Sequence, residues 1–98
     1  MSFQLIVRPE AEGDLAEAFD WYDERRAGLG TEFLAEVDAA LEKAIENPLR
    51  FAALYHHVRR ALVRRFPYKI FFYIEANRVV VIGVIHAKRH PRVWQGRV

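Results

Sequence analysis

The chain encodes an α+β domain in the order β-α-α-β-β-β, a helical hairpin packed on one face of a small, mostly antiparallel sheet. Helical periodicity fills residues 9–46, where apolar side chains recur three and four apart. β-branched and aromatic runs then fill residues 59–87, broken at Phe66-Pro67 and at Ala76-Asn77. Helices gathered before strands in this way pack as one layer on another.

Residues 3–8 alternate, with Phe3, Leu5 and Val7 on one side and Gln4, Ile6 and Arg8 on the other, which fits a first strand with a partly buried second face. Pro9 closes that strand and suits the first turn of a helix. Glu10, Glu12 and Asp14 then stand where the positive end of the helix dipole favours carboxylates. This helix is expected over residues 9–26, with Ala11, Leu15, Ala18, Phe19 and Tyr22 on its apolar face and Gly13 as a weak point. Residues 27–31 make a tight helix-to-helix connection, in which Gly28 suits a left-handed cap and Thr31 suits the N-cap of the next helix. The second helix, residues 31–46, aligns Phe33, Leu34, Val37, Ala40, Leu41, Ala44 and Ile45 in one broad stripe, and Asn47-Pro48 stops it. Residues 49–57 have no clear period and read as a loop. In residues 59–65 arginines bracket Ala61-Leu62-Val63 in a strand, and a turn is placed at Phe66-Pro67 because proline interrupts a central ladder. Residues 68–75 and 78–87 are the strongest strands, joined by a short turn where Asn77 tolerates positive φ. The last three strands form an antiparallel meander, and the first strand joins one of them.

At 98 residues the chain supports one domain over residues 1–98 and buries roughly 60–70% of its extended surface on folding. A hydrophobic content of 52% with 13% aromatics excludes a disordered chain. The absence of cysteine excludes disulfides, thiolate zinc sites and a cysteine nucleophile. No apolar run approaches the roughly 20 residues of a membrane span, and no leader pattern opens the chain, so a soluble, cytoplasmic protein without membrane contact is expected. Neither a metal nor another cofactor is expected. The net charge of +2 hides a division: residues 1–49 hold four Lys/Arg against twelve Asp/Glu, and residues 50–98 hold eleven against one. The balances are −8 and +10, so an anionic partner is expected to meet the second half.

Two constellations carry the candidate chemistry. Arg59, Arg60, Arg64, Arg65 and Lys69 crowd two adjacent strands, and strand alternation puts Arg60 and Arg64 on one face and Arg59 and Arg65 on the other. They fit recognition of phosphate or an acidic peptide, and equally a solvated sheet face or an edge guarded by charge. His86 is expected on the side of Val80, Ile82 and Val84, with Lys88, Arg89 and His90 just beyond. Beside cations it suits a general acid or base; at a strand end it suits a hydrogen bond to neighbouring backbone. His86 and His90, four apart without a helix or an intervening glutamate, make no metalloprotease motif. Tyr22 belongs to the core face and Trp21 sits one step off it. Trp94, between Arg92 and Arg97, either folds back on the sheet or lies where another chain docks.

The early Ala11-x-x-Asp14-Leu15 with Trp21-Tyr22, the Asn47-Pro48 stop and the Arg59-Arg60 strand opening stand in order along the chain. Phe66-Pro67-Tyr68-x-Ile70-x-x-Tyr73 and the ending Val84-Ile85-His86-x-x-Arg89-x-Pro91 with Trp94 complete the set. In this order and spacing the chain resembles the RelE/ParE superfamily of toxins from bacterial type II toxin–antitoxin modules. Within it, the chain is similar to the ParE-like branch often labelled plasmid stabilisation proteins. The resemblance implies a microbial ribonuclease-like fold, growth inhibition, and neutralisation by a cognate antitoxin in a toxin–antitoxin hetero-oligomer. RelE-like members cleave messenger RNA on the ribosome with a basic and aromatic cluster, for which Arg60, Arg65 and His86 are the candidates here. Characterised ParE-like members poison DNA gyrase instead. No tyrosine follows the last strand, where RelE-like enzymes commonly place one, and this favours the ParE-like reading. A relative that is not toxic and only binds its antitoxin is the third reading. The lopsided charge adds that the antitoxin brings an acidic, amphipathic segment, with Arg59, Arg60, Arg64, Arg65, Lys69, His86, Arg89 and Trp94 as the residues that meet antitoxin or target.

Overall fold

The structure, a computed structural model, describes residues 3–98. Their elements are β1 (Gln4–Val7), α1 (Pro9–Arg25), α2 (Leu29–Glu46), β2 (Ala53–Tyr55), β3 (Val58–Leu62), β4 (Tyr68–Glu75), β5 (Arg78–His86) and α3 (Arg92–Gln95). The strands form one sheet in the order β1-β5-β4-β3-β2, with β1 parallel to β5 and the other pairs antiparallel. The α+β architecture and the helical hairpin on one sheet face are thus as expected. Two elements were not anticipated. β2 lies inside the segment read as a loop, where a three-residue strand paired with β3 is too short for alternation to show. α3 turns the tail back over the second face of the sheet.

The connection between the helices corrects the expected cap. Gly28 does adopt the left-handed conformation, at φ 91°, but α2 begins at Leu29 and Thr31 lies within its first turn. The capping acceptor comes instead from α1: Asp23 Oδ1 accepts the N–H groups of Gly28 and Gly30 at 3.0 and 3.1 Å. Gly30 allows the helices to approach there, because a Cβ on it would lie 2.7 Å from the Phe19 backbone oxygen. The hairpin turn between β4 and β5 is where it was expected, yet the positive φ falls on Ala76, at 54°, and not on Asn77.

The α2 stripe buries Phe33, Val37, Leu41 and Ala44 against Ile70 and Phe72 of β4 and Val79, Val81 and Val84 of β5. Each large side chain removed from water here contributes about 1.5–3 kcal/mol, and together they hold the hairpin to the sheet. The opposite face has a smaller core of Val58, Phe71, Ile82 and Ile85, closed by Trp94 of α3. Trp94 stacks on Phe71 with centroids 4.3 Å apart and planes 15° apart, while Tyr55 meets its edge. The tail therefore folds back, and the indole is only 7% exposed.

One irregularity sets which way the last strand presents its side chains. Phe71 pairs with Gly83 but Phe72 pairs with Val81, so Ile82 is an extra residue on β5. This bulge puts Val79, Val81, Val84 and His86 on the helix-covered face and Val80 and Ile82 on the other. The expectation that His86 shares a side with Val80 and Ile82 is corrected accordingly, since strict alternation fails at an extra residue. Among the described residues, no helix is long and apolar enough to cross a membrane.

Candidate functional site

Past Val81, β5 no longer has β1 beside it, and two side chains far apart in sequence take backbone groups that the ladder leaves there. Asp14 Oδ2 accepts the Val84 N–H at 2.9 Å, and Arg97 Nη1 donates to the Ile82 carbonyl at 3.0 Å. The two side chains also pair with each other through both guanidinium nitrogens, at 2.6 and 3.1 Å. The hydrogen bond to Asp14 raises the already high Arg97 pKa, so this charge is permanent. The sequence marks Asp14 as a carboxylate early in α1 and as part of the Ala11-x-x-Asp14-Leu15 motif, with no sign of its partner. Nothing local signals a partner 83 positions away.

Above this pair, between α1 and the adjoining ends of β4 and β5, opens a cleft of about 560 Å³. Glu17, Trp21 and Tyr22 line it from α1, Tyr68 from β4, and His86 and Arg89 from the end of β5 and the turn beyond. Tyr68 meets His86 edge-on at 5.3 Å and also packs on Tyr22 and Phe33. Burial is the main reason that the phenols of Tyr22 and Tyr68 are held above the usual tyrosine pKa; for Tyr68, Tyr22 and Glu17 push the same way and Arg89 opposes. Both are neutral hydroxyl donors at physiological pH. His86 Nδ1 accepts the Lys88 N–H at 3.1 Å, so the strand-end histidine does bond neighbouring backbone while its other nitrogen remains available. Sequence shows Tyr68 as a strand residue and a member of the Phe66-Pro67-Tyr68 motif, and its meeting with His86 arises from β4–β5 register.

The basic residues separate. Arg59 faces the helices, and its guanidinium donates to the Phe51 carbonyl. Arg65 lies beyond the end of β3, in the turn and at φ 73°, where it pairs with Glu32 at 3.0 Å and Glu36 at 3.7 Å. The hydrogen bond to Arg65 is the main cause that lowers the Glu32 pKa, and the same bond raises that of Arg65. Arg64 is in that turn too, exposed, so the expected strand over residues 59–65 is three residues shorter at its end. Arg60 pairs across to Phe71 and Lys69 to Leu62, which puts both cations on the face that α3 partly covers. His86 and Arg89 are alone among the candidates in the cleft on the other side. Arg60 and His86, two of the three residues that ribonuclease chemistry would need, thus point to opposite faces. Among the described residues no group of three or more His, Cys, Asp or Glu is placed to hold a metal ion.

Comparison with known proteins agrees with this arrangement of elements. The family model described as ParE toxin of type II toxin-antitoxin system, parDE, matches residues 5–91. Toxin ParE2 of Mycobacterium tuberculosis, in strains CDC 1551 / Oshkosh and ATCC 25618 / H37Rv, is 26% identical over 99 aligned positions, spanning 100% of this chain and 94% of the relative. A solved structure titled as the chromosomal ParDE TA system from P. aeruginosa superposes with a TM-score of 0.79. That superposition covers 89% of this chain and 98% of the other at 13% identity, a likeness of fold. With the family model covering nearly all of β1 to the end of β5 and beyond, the chain belongs to the ParE toxin family of type II toxin–antitoxin systems.

Proposed function

We propose that this toxin inhibits growth by binding DNA gyrase in the bacterial cytoplasm and is held inactive by a cognate antitoxin. The observation that carries the reading is the separation of Arg60, Arg65 and His86. Arg60 is on one sheet face, His86 on the other, and Arg65 is engaged by two glutamates of α2. A phosphodiester held by any one of them would lack the other two, which supports action by binding over messenger RNA cleavage. Membership of the ParE family supports gyrase as the target. Expression without antitoxin tests this: DNA damage signalling with intact transcripts is expected, together with inhibition of supercoiling by purified gyrase. Early cleavage of transcripts within codons would establish the ribonuclease instead, and normal growth would establish a relative that is not toxic.

The antitoxin is proposed to land on the face of Arg60 and Lys69, with exposed Arg64 at its margin and Leu62, 65% exposed, between the cations. An acidic, amphipathic segment matches that mixture of apolar and basic surface. Charge then speeds encounter and fixes register, while apolar anchors hold the complex. Reversal of Arg60 and Arg64 to glutamate should slow association more than it speeds dissociation, and should flatten its dependence on salt. Binding kinetics at two ionic strengths decide the matter. Wild-type association that ignores salt, or an unchanged rate in the double variant, would remove this face as the landing site.

A further inference from the structure

The cleft between α1 and the β4–β5 end offers more hydrogen-bond donors than the protein uses. Among the described residues, the hydroxyls of Tyr22 and Tyr68 and the guanidinium of Arg89 have no side-chain partner, and none of these polar atoms is sealed from solvent. His86 adds a fourth donor: with Nδ1 accepting the Lys88 N–H, the proton of the neutral ring sits on Nε2. Asp14 and Arg97 at the floor satisfy one another and contribute no unmatched charge. Among the described residues, Glu17, exposed on the α1 wall, is the carboxylate left over there. The wall beside it is aromatic, with Trp21 50% exposed although Arg25 already covers one part of its ring at 3.5 Å.

Four donors lining the cleft, with Glu17 also near the Tyr68 hydroxyl, call for a ligand that carries an oxyanion together with donors of its own. A bare anion would leave the aromatic wall and Glu17 unused, and a purely aromatic ligand would leave the donors unmet. A ligand with a phosphate, a planar ring and hydroxyl or amino donors between them matches all three features. The volume of about 560 Å³ falls within the range of roughly 300–1,000 Å³ usual for small-molecule sites. We propose that this cleft binds a free nucleoside monophosphate, with the phosphate on Arg89, His86 and the tyrosine hydroxyls, the base against Trp21 and Tyr22, and sugar or base donors on Glu17. The reading is independent of the toxin's target and of the antitoxin-binding face.

The two indole N–H signals of the full chain report on it by NMR, because Trp21 borders the cleft and Trp94 is buried on the far face. A Trp21→Phe variant assigns them. Titration with AMP, GMP, CMP and UMP at fixed ionic strength should move the Trp21 signal and leave that of Trp94 in place. Charge-assisted hydrogen bonds of this kind are worth roughly tenfold or more in affinity. Arg89→Ala should therefore weaken binding by at least about that factor, as should removal of the phosphate from the ligand. Arg50→Ala, which removes the same charge at the 3-10 turn after α2, should change it less than about twofold. Inorganic phosphate alone should bind at least about tenfold more weakly than the best nucleotide. An unmoved Trp21 signal at millimolar nucleotide, equal losses from Arg89→Ala and Arg50→Ala, or equal binding of inorganic phosphate would each overturn the proposal.

Discussion

Replacing Asp14 with alanine should be among the most damaging single changes outside the apolar core. The carboxylate is 15% exposed and its Arg97 partner 20%, so both charges are largely but not wholly withdrawn from water. Its loss removes three hydrogen bonds at once: two from the guanidinium and one from the Val84 N–H at the bulge. Breaking a buried pair by deleting one member costs about 3–5 kcal/mol, and the residual exposure here lowers that to about 2–4 kcal/mol. Against a total stability of about 5–15 kcal/mol for a domain of this size, the melting midpoint should fall by roughly 10–25 °C. Urea titration followed by far-UV circular dichroism measures the loss directly. Asp14→Asn should cost less, since an amide oxygen still accepts from Val84. A double replacement, Asp14→Ala with Arg97→Met, should recover little. Unlike an isolated ion pair, this one serves two backbone groups, and an apolar pair would leave the Val84 N–H and Ile82 carbonyl without partners. A loss below about 0.5 kcal/mol for Asp14→Ala, on the scale of an exposed pair, would refute the assignment of stability to this pair and its bonds to β5.

Three further outcomes follow from the packing and titration of the fold. Leu41→Ala removes a side chain 7% exposed beneath α2 and should cost about 2–5 kcal/mol; an unchanged melting temperature would place the wrong face of α2 on the sheet. Gly30→Ala puts a methyl group 2.7 Å from the Phe19 backbone oxygen, which cannot rotate away, so a loss of about 1–3 kcal/mol is expected in the same urea assay. Alkaline pH should destabilise the protein through Tyr22 and Tyr68. Their folded pKa values are raised by burial, so their contribution is full below the ordinary value of about 10 and is lost as pH rises through the folded values. A Tyr22→Phe, Tyr68→Phe variant should show a shallower fall in the urea midpoint above about pH 10, and an equal slope would assign the effect elsewhere.

What the sequence disclosed was periodic, and what it concealed was a meeting of distant residues. The α2 stripe repeats over five turns, so Val37, Leu41 and Ala44 could be assigned to the core before any partner was known. β4 and the start of β5 were equally clear from their β-branched and aromatic content. Arg59 and Arg65 both meet the helix side, but Arg65 does so from the turn beyond β3 rather than by strand alternation, and its pairing with Glu32 and Glu36 depends on where α2 lies against that turn. Asp23 as the cap of α2 was hidden for a related reason: its donors lie five and seven residues on, beyond the local capping patterns. The cleft was only half visible, through His86 and Arg89. Its other wall belongs to α1, where Trp21 shows in sequence only as a residue one step off the core face and a member of the Trp21-Tyr22 motif.

The extra residue at Ile82 has a larger consequence than its size suggests, because side chains in a strand have a period of two. Val79 and Val81 face the helices; unbroken alternation from there would carry Gly83 and Ile85 to the same face and send Val84 and His86 to the other. His86 would then share a face with Arg60 and Lys69, and a basic cluster with a histidine in it would be assembled on one side of the sheet. The bulge prevents this. It returns Val84 to the main core, turns His86 towards Tyr68, and leaves Arg60, Leu62 and Lys69 as a basic and apolar surface with no histidine of β5 on it. Asp14 and Arg97 bond the Val84 N–H and the Ile82 carbonyl on either side of Gly83, just past the extra residue, so helix, strand and tail meet there. The division of the candidate residues between two faces is therefore a property of the sheet register and does not depend on the rotamer of any one arginine.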